Sequence, residues 1–127
     1  MRRGAVWRRS LIGLSALQAL AVLGQAWLAG GFLTGAGGAL EAHRNMAFGV
    51  IQWIGLFSLV VAILWWRPGR GPAWPIGVTA ISLVAIGAQI AVGFADLLQV
   101  HIPLGVSIFG LNLWLAAGLS RYERKKR

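Results

Sequence analysis

The stretch MAFGVIQWIGLFSLVVAILWW, Met46–Trp66, carries no charged side chain from end to end. Its length matches the roughly 20 apolar residues needed to cross the hydrocarbon of a bilayer. It closes on Trp65-Trp66, and indole rings favour the membrane–water boundary. Three further stretches repeat the pattern, which gives expected spans over 11–33, 45–66, 76–95 and 101–119. A basic segment before an apolar run is also the pattern of a cleaved signal peptide. The first run is longer than the usual apolar region of about 7–15 residues, so a first transmembrane helix is expected.

The separators between the spans carry the turn chemistry. Thr34 to Leu40 is glycine-rich, and Arg67 to Pro75 combines proline, glycine and arginine. Such segments end one helix and start another. Asp96 to Gln99 makes a third, short turn. Pro103 fits the first turn of the last helix, where its missing N–H costs nothing, so that helix is expected to begin near His101. Residues 120–127 form a basic tail. The fold class is therefore all-α: a single-domain, integral membrane four-helix bundle over residues 1–127.

Composition agrees. The 127 residues are 57% hydrophobic and only 12% charged, with a mean hydropathy of +0.71. Soluble domains carry about twice that charged fraction. The net charge of +9 does not indicate nucleic acid. The basic residues lie at the chain ends and in one linker, whereas a nucleic-acid module needs a basic folded face. That placement sets the topology. Four spans bring the N-terminus, the middle linker and the C-terminal tail to one side, which the positive-inside rule makes cytoplasmic. The chain is thus expected in the cell membrane, multi-pass, with both termini cytoplasmic and anionic lipid headgroups against its basic ends. Arg44 is the one basic residue on the outer side.

No cysteine is present, which excludes disulfides, iron–sulfur clusters, thiolate metal sites and thioether-attached heme. The only two histidines, His43 and His101, stand at the outer heads of the second and fourth spans. The spans also read as two similar hairpins. Gly24-Gln25, Gly31-Phe32 and His43 are echoed by Gly87-Ala88-Gln89, Gly93-Phe94 and His101. Two hairpins of like topology are related by a pseudo-two-fold axis along the membrane normal. Equivalent residues then lie at one depth, and the two imidazoles face each other across the bundle.

That arrangement suits a non-covalent b-type heme held by two axial histidines, since bundle cores build cofactor sites from facing helices. Gly49 and Gly105, with Gly31 and Gly93 on the other two helices, would let a macrocycle approach the backbone. Arg44 would pair with a propionate through its planar fork. A two-histidine metal site completed by Glu41 and Asp96 is the alternative at the same depth. Gln18, Gln25, Gln52, Gln89 and Asn112 read as interhelical hydrogen-bonding groups. No nucleophile sits beside a base, and the inner half lacks the ionisable groups of a transport path. The two function classes are a b-type heme protein near the outer face, binding heme or relaying electrons, and a cofactor-free accessory subunit of a larger membrane complex. Were the chain an enzyme, it would be a heme-dependent membrane oxidoreductase.

Gln89-Ile-Ala-Val-Gly93, Val100-His-Ile-Pro-Leu-Gly105 and Phe109-Gly-Leu-Asn-Leu-Trp114 resemble the last two helices of a heme A synthase half-module. Gly24-Gln25 to Gly31 and Glu41-Ala-His43-Arg44 resemble the first two. The resemblance extends to small actinobacterial-type membrane proteins of one half-module each. It implies that His43 and His101 ligate, or flank, a heme. Enzymes of that family have two halves, a glutamate three residues before the histidine and, in many members, a cysteine pair. This chain has one half, Glu41 two residues before His43, and no cysteine, so the implication carried over is heme binding, with a homodimer as the eight-helix counterpart.

Overall fold

The computed structural model describes residues 2–122, so the part of the expected tail beyond Tyr122 lies outside the described residues. The elements are α1 (Arg2–Leu33), α2 (Ala39–Met46), a π-helical segment (Ala47–Ile51), α3 (Gln52–Trp66), α4 (Trp74–Phe94) and α5 (Leu98–Tyr122). The α2–π–α3 rod is one continuous span, which leaves four helices long and apolar enough to cross a membrane. The chain is a multi-pass, all-α bundle. Each helix packs on its chain neighbour, and α5 closes the ring against α1. The rod α2–α3 therefore faces α5 across one diagonal, and α1 faces α4 across the other.

Several helix starts differ from expectation, and the second span begins at Ala39 and not at residue 45. Helix α1 begins at Arg2 and not near Leu11, so the N-terminal arginines are helical. Arg8 is buried, and its Nη1 donates to the Leu119 carbonyl at 3.0 Å. A cation at the last turn of α5 meets the unpaired carbonyls and the negative end of the helix dipole. Helix α5 begins at Leu98, one turn before His101, and Pro103 lies inside it. The turn before it reverses at Asp96 (φ 56°), and the His101 N–H already bonds the Leu97 carbonyl at 2.9 Å. Pro103 leaves the Gln99 carbonyl without its helical donor, a small loss so close to the helix start. Helix α4 starts at Trp74, two residues before the expected Ile76, with Pro75 in its first turn.

The buried stripes establish the internal repeat. On α1, Leu11, Ser15 and Gln18 are buried; on α4, Pro75, Thr79 and Ser82 are buried at the same spacing, with Gln25 and Gln89 continuing each series. The second helices match as well. Ile51, Gly55, Ser58 and Ala62 correspond to Ile108, Asn112, Leu115 and Leu119. Trp65 and Tyr122 continue that series and stack edge-on at 5.9 Å. Above the π segment the correspondence shifts by one residue, pairing Met46 with Leu104 and His43 with His101. One inserted residue in a helix is accommodated as a π bulge. Here it lets both His43 and the lower stripe face the axis.

The apolar core forms two clusters. One, at the end where α1 starts and α5 finishes, gathers Leu11, Ala62, Trp65, Leu115 and Leu119. The middle one gathers Ala21, Ile51, Ile54, Ile86 and Ile108, with Met46, Ile90 and Leu104 against its upper side. The opposite end of the bundle axis is built differently.

Candidate functional site

Above Met46, Ile90 and Leu104 come the two imidazoles. Each is aimed by a glutamine of its own hairpin. His43 Nδ1 lies 3.1 Å from the Gln25 carbonyl, and Gln25 Nε2 donates back to the His43 carbonyl at 3.0 Å. His101 Nδ1 lies 3.0 Å from the Gln89 carbonyl. A carbonyl oxygen only accepts, so each Nδ1 carries a proton, and in the neutral imidazole that leaves the lone pair on Nε2. A backbone carbonyl on Nδ1 is the usual partner that orients a metal-binding histidine. Both rings are half-buried. Their centroids are 6.0 Å apart, with an interplanar angle of 51°.

That spacing has a chemical meaning. With metal–nitrogen bonds of about 2 Å and roughly 1 Å from ring nitrogen to ring centre, two trans imidazoles on one metal have centroids about 6 Å apart. Two imidazoles at that separation are close enough for both to reach one ion. The side-chain Oε1 atoms of Gln25 and Gln89 are buried beside the pair without a hydrogen-bond donor among the described residues, as are Gln18 Oε1 and Ser15 Oγ deeper in the bundle. A buried acceptor left without a donor calls for a partner such as a water or an ion.

The glycines divide. A Cβ on Gly93 would lie 2.9 Å from His101 Cε1 and 3.0 Å from its Nδ1, so the ring occupies the space that only glycine leaves. A Cβ on Gly105 would lie 2.9 Å from Gln89 Nε2. Gly31 faces Ala39 at 3.4 Å, which is ordinary helix contact. Gly49 lies in the π segment and is exposed, with open space where a Cβ would be. The register pairs Gly105 with Ala47 and not with Gly49, because the inserted residue falls between His43 and the lower stripe.

Arg44 is exposed beside His43 and lays its guanidinium over the Phe94 ring at 5.2 Å; Phe48 touches the same ring at 6.1 Å. Cation–π attraction of this kind holds an arginine at a rim without neutralising it. Glu41 and Asp96 are exposed at the same end. They do not join the histidines in any group of three metal-ligating carboxylates, imidazoles or thiols among the described residues.

Sequence reasoning missed Arg8, the two backbone carbonyls and the π insertion. The carbonyls have no sequence signature. The insertion was visible only as a drift in spacing between the two hairpins. Gln52, grouped with the interhelical polar residues, is instead exposed on the outer surface of the bundle. Compared with known proteins, the chain matches no family model, no curated sequence and no solved structure.

Proposed function

We propose that the chain is a membrane-embedded b-type heme protein, with His43 and His101 as axial ligands near the outer face. The observation that carries the reading is the imidazole pair: centroids 6.0 Å apart, each Nδ1 committed to a backbone carbonyl, each Nε2 free to bind metal. A heme held by His43 and His101 would supply one-electron transfer. The protein's part is to aim the rings and to hold their tautomers, with Gly93 leaving the space that the His101 ring occupies. Arg44, at the rim, is the group for a propionate carboxylate.

The outer placement rests on the basic residues. Arg3, Arg9, Arg67, Arg70 and Arg121 are exposed at the end of the bundle opposite the histidines. The positive-inside rule makes that end cytoplasmic and sets it against anionic headgroups.

The test is an absorption spectrum of protein purified after expression with ample heme. A low-spin b-type Soret and α band, lost in both His43→Ala and His101→Ala, is the expected result. A colourless protein would sink the proposal and leave the cofactor-free accessory reading.

A further inference from the structure

Polar side chains at membrane depth normally face a bundle interior. Gln52 does the opposite. It stands at the midpoint of the 28-residue span Ala39–Trp66 and is exposed on the outer surface. Its amide makes no hydrogen bond among the described residues. Trp53 beside it is 52% exposed, stacks only on Phe57, and its indole N–H likewise has no acceptor there. Tryptophan usually sits at the interfaces and not at mid-depth.

The two residues border a groove of about 220 Å³ between α3 and α4, completed by Leu56, Leu83 and Gly87. A Cβ on Gly87 would meet nothing within 4 Å, so the α4 wall is shallow. Helix α4 is also the least buried of the four spans. Small residues on such a face let another backbone approach closely.

We propose that this groove is the contact surface for a second copy of the same chain, with the Gln52 amides paired across it. Copies of one membrane protein insert with the same orientation, so a two-fold axis between them runs along the membrane normal. Each residue then meets its counterpart at its own depth. A carboxamide is both donor and acceptor and is therefore complementary to itself. In hydrocarbon the alternative for each amide is no partner at all. Lipid offers no hydrogen bond at mid-depth, and a second identical chain is the partner whose matching amide is certain to be at that height. The inference is independent of heme binding.

The absence of cysteine makes the test clean. Single-cysteine variants Leu56→Cys and Leu83→Cys are oxidised in native membranes. Leu17→Cys serves as the control: it is exposed on α1, next to Gln18, which bonds the Ile51 carbonyl and so fixes the same depth. The expected result is a cross-linked dimer from at least one groove position and none from Leu17. Adding Gln52→Leu should weaken self-association about tenfold, the usual scale for an interhelical polar contact, and Gln52→Asn should restore part of it. Because Gln52 lies outside the core, Gln52→Leu leaves the monomer folded. The proposal is overturned if the groove positions fail to cross-link, if Leu17→Cys links equally well, or if Gln52→Leu is as dimeric as the parent. Cross-linking is read on the protein itself, so its failure is distinguishable from a failure to bind heme.

Discussion

Replacing Gly93 with alanine puts the packing around His101 to its sharpest test. The new Cβ would lie 2.9 Å from the ring's Cε1 and 3.0 Å from Nδ1, whereas non-bonded carbons rest at about 3.5–4.0 Å. The ring must withdraw by roughly 0.5–1 Å. It is rigid and is pinned by Nδ1 to the Gln89 carbonyl, on the same helix as Gly93, so withdrawal lengthens that 3.0 Å bond. Losing it costs about 1 kcal/mol, and overpacking adds about 1–3 kcal/mol. The expected destabilisation is thus about 2–4 kcal/mol. Gly105→Ala meets only the end of the Gln89 side chain, which can rotate, and should cost less than about 1 kcal/mol. Gly49→Ala meets nothing and gains helix propensity, so it should be neutral or slightly stabilising. The assay is thermal unfolding in one detergent, read beside the absorption spectrum. Gly93→Ala should unfold first and lose the b-type band. If it matches the parent in both readings, or if Gly49→Ala proves the most damaging of the three, the packing argument is wrong.

Other expectations rest on separate features. Deleting Gly49 should turn the π segment into regular α-helix without disturbing either the histidine pair or the lower core; deleting Val61, below the bulge, should rotate the inner stripe off the axis and abolish folding, with thermal unfolding as the readout. Asn112→Ala removes the 2.9 Å bond to the buried Ser82 hydroxyl and the side-chain bond to the Ile108 carbonyl, and should lower stability by about 1–3 kcal/mol. Asn112→Leu fills the space and should recover part of that loss; an equal loss in both would show that volume is irrelevant there. Arg8→Leu should destabilise the inner end through the lost bond to the Leu119 carbonyl, whereas Arg9→Leu, exposed one position on, should leave the unfolding temperature unchanged. Reporter fusions should place residue 36 outside and residue 70 inside; the opposite result would reverse the topology.

Much of the fold was legible because bilayer solvation imposes a coarse rule. Each span must be long, apolar and capped by polar turns, and all three demands are visible residue by residue. The repeat was legible for a related reason: two hairpins solving the same packing problem keep their glutamines and histidines at like positions. What the sequence could not place were contacts made by groups common to every residue. The carbonyls of Gln25 and Gln89 hold the imidazoles, yet any residue there has a carbonyl. Gln18 and Gln52 are the same amide on similarly apolar helices. Helix packing gives one the Ile51 carbonyl and the other the outer surface.

Four spans, the like positions of His43 and His101 and the end at which the arginines gather could all be read residue by residue, because hydrophobicity and charge act on each segment separately. Helix packing set the rest: Arg8 is buried, Gly93 and not Gly49 borders an imidazole, and a π insertion brings His43 into line with His101. Those outcomes depend on the rotation of one helix against another. A single inserted residue turns a helix by about 100°, which changes every side chain beyond it from axis to surface while leaving the hydrophobicity of the span unchanged.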